Sequence, residues 1–144
     1  MATSIVGFRE RKFWIHNAVA EVWFSSFAEH VALRTRPESW LLSLRKDVTE
    51  ALMARWIDGV TMTTFDSYLI DDARIAVFST VLLAVNQHLS AEADRASTVC
   101  VGEFCASRDF LRPEISMLAN LFLSPDQVLA PPHVFVRDKG WCVA

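Results

Sequence analysis

The sequence predicts a mainly α-helical protein, an antiparallel four-helix bundle whose tail is compatible with a small C-terminal β-hairpin. Three observations carry this expectation. The chain has 144 residues, the length of a single domain, and at that size folding buries roughly two thirds of the unfolded surface without help from disulfides or metals. It contains only 4 glycines and 5 prolines, where average usage gives about 10 and 7, so turns should be few and elements long. Apolar residues also recur at three- and four-residue steps in four separate stretches, the signature of amphipathic helices. With 52% hydrophobic and 22% charged residues, the chain is excluded from the disordered class.

Taken in order, Met1 to Lys12 read as a flexible lead. The core should run from 13 to 124. Its first helix spans about Phe13 to Leu33, with Ile15, Val19, Val22, Trp23, Phe27, His30 and Val31 on one stripe. Arg34 to Arg36 break it. Pro37 starts a second helix, because proline at the first helical position has its φ preset and loses no needed hydrogen bond. Trp40, Leu41, Leu44, Val48, Ala51, Leu52 and Trp56 continue that helix to about Ile57, and Asp58-Gly59 ends it with a residue suited to a left-handed cap. Within the stretch from Val60 to Ile70, Val60 to Phe65 favour a strand by propensity, but no partner strand is evident nearby, so an extended loop with Met62, Phe65 and Leu69 inward is expected. Asp71 or Asp72 caps a third helix. Its broad arc of Ile75, Phe78, Leu82, Val85 and Leu89 marks it as the central helix, ending near Ser90. Ala91 to Val99 form a polar connection, and Val99 to Phe104 are ambiguous between helical turn and strand. A fourth helix carries Pro113 near its start and Phe110, Ile115, Leu118, Ala119 and Phe122 on one side, closing at Ser124-Pro125. His133 to Val136 and Trp141 to Val143 then read as two short β runs around Arg137 to Gly140, the 133–143 hairpin.

The net charge of −3 lacks the basic stripe that direct nucleic-acid binding needs. It is unevenly spread. Asp58, Asp66, Asp71, Asp72, Glu92 and Asp94 face a single base, Arg74, between Asp58 and Asp94. Such a segment is either a solvated helix face or a patch that steers a basic partner. Three cysteines, Cys100, Cys105 and Cys142, do not make a disulfide framework by count, and free buried thiols in a cytoplasmic protein are the simpler expectation. No export or membrane-spanning segment is evident.

Chemistry-bearing residues are scattered. His16 and His30 lie fourteen residues apart on one expected helix, about 21 Å along its axis, too far to share a metal. Neither a serine elbow nor a glycine-rich phosphate loop occurs. No catalytic residue, metal or cofactor is therefore expected. Trp23, Trp40 and Trp56 sit on helical stripes and read as core. Trp14 and Trp141 stand near the chain ends and read as interface anchors.

Phe13-Trp14-Ile15-His16, Trp23, Pro37-Glu38-Ser39-Trp40 with Arg45, and the helix capped at Asp71 resemble small all-helical bacterial immunity proteins of contact-delivered toxin systems, over roughly Phe13 to Leu89. The matching positions are aromatic and capping residues, so no binding residues carry over. The resemblance implies tight binding to a toxin domain, often a nuclease, without catalysis. The expected function is thus a toxin-neutralising binding module, with Asp58, Asp66, Asp71, Asp72, Trp14 and Trp141 as candidate partner-binding residues and neither membrane nor nucleic acid as a direct partner. Two alternatives are a helical small-ligand binder or enzyme with a pocket built from residues such as His30, Arg55 and Cys105, and a homo-oligomeric subunit packing through Trp14 and the tail.

Overall fold

The computed structural model describes residues 3–53, 61–62, 64–123 and 141–143. Its architecture is α+β, which corrects the expectation of a mainly all-α four-helix bundle. The first difference is at the start. Residues expected to be a flexible lead form strand β1 (Thr3–Phe8), which pairs antiparallel with β2 (Arg11–His16). The pairing runs from Thr3 opposite His16 to Phe8 opposite Arg11, and buries Val6, Phe8, Phe13 and Ile15. The two-residue turn, Arg9 and Glu10, has φ values of 50° and 67°, the left-handed pair that a type I′ hairpin turn requires. Neither residue is the Asn or Gly that normally advertises this turn. Asp66 holds it from outside, its Oδ1 accepting the Arg9 backbone N–H at 2.8 Å.

Two further strands complete this sheet in the order β3-β1-β2-β6. β3 (Thr61–Met62) lies parallel to β1, and so supplies the partner relation that the sequence did not reveal. β6 (Trp141–Val143) pairs antiparallel with β2, placing Trp141 opposite Phe13. The tail therefore joins the N-terminal hairpin. The other arm expected for a C-terminal hairpin, His133 to Val136, lies outside the described residues, as do Trp56, Asp58, Gly59 and Pro125.

The first helix, α1 (Asn17–Ala32), begins four residues later than its apolar stripe suggested, because Phe13 and Ile15 belong to β2. Ten of its sixteen residues are buried. It, and not the later helix expected to be central, is the axis of the molecule. α2 (Ser39–Met53) packs Leu41, Leu44, Val48 and Leu52 inward. A single turn, α3 (Phe65–Tyr68), buries Phe65, and Leu69 just beyond it is 2% exposed. α4 (Asp72–Arg95) is capped by Asp71, whose Oδ1 accepts from Arg74 N at 2.8 Å. It runs five residues past the expected stop at Ser90.

The ambiguous stretch after α4 is a second hairpin, β4 (Thr98–Val101) with β5 (Phe104–Ser107), turning through Gly102 at φ 60°. Cys100 and Cys105 face each other across it in a disulfide, Cα to Cα 4.1 Å. Both are exposed. The expectation of free, buried thiols is corrected here, since two of the three cysteines are joined and lie at the surface. α5 (Arg108–Leu123) follows directly and contains Pro113 well inside its second turn.

The core is a ring cluster. Phe122 lies 4.8 Å from Phe78, 4.9 Å from Phe65 and 5.2 Å from Phe8 between centroids. Trp23 is fully buried, so its indole N–H needs a partner; it donates to Asn86 Oδ1 at 2.8 Å, while Asn86 Nδ2 donates to the Ile115 carbonyl at 3.0 Å. This relay ties α1, α4 and α5 together. No helix among the described residues is long and apolar enough to cross a membrane.

Candidate functional site

Two places combine chemistry with access. The first is the acidic corner between α3 and α4. Asp66, Asp71 and Asp72 are all exposed, and Ile70 between them is 62% exposed. Two of these carboxylates hold backbone donors, Asp66 at the hairpin turn and Asp71 at the helix cap. Accepting an N–H leaves their charge in place. Arg74, the sole base between Asp58 and Asp94 in the sequence, is directed inward. Its Nη1 donates to the Tyr68 carbonyl at 3.1 Å, and its guanidinium carbon lies 5.2 Å from the Trp40 ring centroid. Tyr68 in turn donates its hydroxyl to Asp47 Oδ2 at 2.5 Å, and that bond, with burial, raises its pKa.

Of the expected partner-binding residues, this corner brings together Asp66, Asp71 and Asp72. Asp58 lies outside the described residues. Trp14 and Trp141 stand instead on β2 and β6, adjacent strands of the sheet. Trp14 is half-buried, with an Nε1 that is buried and has no hydrogen-bond partner among the described residues.

The second place was not legible as a site. His16 occupies the N-cap position of α1 with extended backbone, φ −65° and ψ 136°, and its side chain does not cap the helix. Glu114 of α5 does the capping from across the fold. Its Oε1 accepts the His16 backbone N–H at 2.5 Å, and its Oε2 lies 2.7 Å from His16 Nδ1. A carboxylate at a helix N-terminus is favoured by the dipole, and α1 has no acid of its own in its first turn. Glu114 is 4% exposed. Burial raises its pKa above the ordinary carboxyl range, and the contacts with His16 only partly oppose that. The imidazole stacks on Phe110, with centroids 4.1 Å apart and planes 19° from parallel.

His16, Asp109, Phe110, Pro113 and Glu114 line a cleft of about 200 Å³. A carboxylate on Nδ1 fixes the ring and, when the ring is neutral, leaves Nε2 as an acceptor. Among the described residues, the cleft lining includes no Ser, Thr, Cys or Lys to act as nucleophile. The arrangement can orient and accept hydrogen bonds; it does not form a triad. The signal for Glu114 was its place four residues after Phe110 and four before Leu118, an acid on a core-facing stripe.

The pocket imagined from His30, Arg55 and Cys105 is not assembled. His30 Nδ1 donates to the Ser26 carbonyl at 2.8 Å and the ring lies 5.7 Å from that of His88, whereas Cys105 is bonded to Cys100. Arg55 lies outside the described residues. Among the described residues, no three His, Cys, Asp or Glu side chains converge as a metal centre would need. No family model, curated protein or solved structure matches this chain.

Proposed function

We propose that the protein is a non-catalytic binding module of the immunity type, and that its acidic corner is the surface that engages a basic toxin or nuclease domain. The observation supporting this reading is Ile70, 62% exposed and framed by the exposed Asp66, Asp71 and Asp72. An apolar anchor inside a charged rim is the usual anatomy of a protein interface. The inward engagement of Arg74 leaves these carboxylates without a neighbouring surface cation from their own segment, so their field can steer a basic partner. A nuclease surface built to hold phosphates is such a partner.

Co-expression with a panel of basic toxin and nuclease domains tests the reading. The wild-type protein should restore growth and co-purify with the toxin domain. An Ile70→Ser/Asp72→Lys variant should lose both while keeping its circular dichroism spectrum. These two positions are chosen because, unlike Asp66 and Asp71, neither side chain holds a backbone donor. Absence of protection by the wild-type protein, with no complex at micromolar concentrations, would overturn the proposal.

A further inference from the structure

We propose that the cleft between His16 and the first turns of α5 binds a guanidinium group. The side-chain groups that line the cleft and are not already engaged can act as acceptors. The Asp109 carboxylate is exposed and has no hydrogen bond or ion pair among the described residues. The bases that flank it in sequence are engaged elsewhere: Arg108 Nη1 donates to the Ala93 carbonyl at 3.4 Å, and Arg112 Nη2 donates to that carbonyl at 3.3 Å and to Asp94 Oδ1 at 2.8 Å. Pro113 lacks the N–H that would otherwise close the helical bond to the Asp109 carbonyl. His16 Nε2 makes no hydrogen bond among the described residues and, with Nδ1 held by Glu114, is an acceptor when the ring is neutral.

Charge, shape and size point the same way. Asp109 is the lining carboxylate left unpaired, since Glu114 is committed to His16, and no Lys or Arg lines the cleft, so its unspent side-chain charge favours a cation. Phe110 and the imidazole stacked on it supply a π surface, on which a planar guanidinium packs better than a compact ammonium. Five N–H donors in a fixed fork match a carboxylate, a carbonyl and a ring nitrogen. A volume of about 200 Å³ is below the roughly 300–1,000 Å³ of drug-sized sites, so the cleft holds a side-chain-sized group. The inference does not rest on the acidic corner. His16 is at the opposite end of β2 from the turn that Asp66 holds.

The test is an NMR titration of the whole chain with methylguanidine, with an N-acetylarginine amide, and with the matching lysine amide. Saturable shifts should appear at the His16 ring nitrogens and Phe110 with both guanidinium probes, and the lysine amide should bind at least several-fold more weakly. Asp109→Asn should weaken guanidinium binding about tenfold, the order expected for losing one charge-assisted contact, with a melting temperature lowered by at most a few degrees through loss of the acid in the first turn of α5. Tighter binding of the arginine amide than of methylguanidine would identify a protein side chain as the source, and the reverse order a free small molecule. Shifts that are absent, equal for lysine, or unaltered in Asp109→Asn would overturn the proposal.

Discussion

Glu114 does two jobs with one carboxylate, ending α1 and fixing the His16 ring. Replacing it with alanine leaves a buried N–H and an imidazole without their acceptor, so stability should fall by about 2–3 kcal/mol in urea unfolding. Its pKa is raised by burial, so the folded state holds this proton more firmly than the unfolded chain. The stability linked to that proton is complete below the ordinary carboxyl range and is lost as pH rises through the elevated folded value. Unfolding curves of wild type and Glu114→Gln, followed upward in pH from the ordinary carboxyl range, should therefore diverge, the wild type losing ground as pH rises; parallel curves would show that Glu114 does not titrate in this way. Reduction of the Cys100–Cys105 disulfide frees a six-residue loop and should cost about 2 kcal/mol, read as a lower melting temperature in dithiothreitol that Cys100→Ala/Cys105→Ala reproduces. Neither role was readable from the chain. Glu114 is an acid on an apolar stripe whose partner lies 98 residues away, and an odd cysteine count hides a pair that only strand register brings together.

At the scale of elements, the four long helices were legible and the strand pairings were not; Trp141 to Val143 read correctly as a β run, whereas the single turn α3 lies where an extended loop was expected. Long stripes such as Phe78, Leu82, Val85 and Leu89 specify a helix at any register, and the Asp71 cap marks its start. The N-terminal hairpin misled because Ile15 and Val19 stand four apart, so the inward face of β2 runs smoothly into the stripe of α1. Its turn carries Arg9 and Glu10, not glycine, in left-handed conformations. Holding a non-glycine residue there costs about 1–2 kcal/mol, so Glu10→Gly should raise stability by about 1 kcal/mol, measured by urea midpoint. Asp66→Ala removes the outside anchor of the same turn and should lower it, most visibly as faster amide exchange across β1 and β2. Asp71→Ala should cost about 1 kcal/mol through loss of the α4 cap. Of the acids expected to bind a partner, Asp66 and Asp71 each hold a backbone donor, whereas Asp72 contributes only its charge to the first turn of α4, which is why Asp72 and Ile70 are the informative positions for function.

For the whole molecule, α1 is the buried axis, with one sheet at its N-terminal end and the disulfide hairpin packed against it. Composition and periodicity gave its size, its helix richness and its aromatic core. They could not give the sheet, whose strands are short and drawn from residues 3–16, 61–62 and 141–143, because such pairings depend on contacts far apart in sequence. The acidic corner and the His16 cleft end up at separate places on this frame, and the binding reading depends on the former. The most direct test is the salt dependence of association between the protein and the basic toxin domain that the proposed function requires, measured by stopped flow. Association should slow steeply as ionic strength rises, and Asp72→Lys should slow it at low salt and flatten that slope, while loss of the acid in the first turn of α4 lowers the melting temperature by only a few degrees. An association rate and a salt slope that Asp72→Lys leaves unchanged would contradict the account.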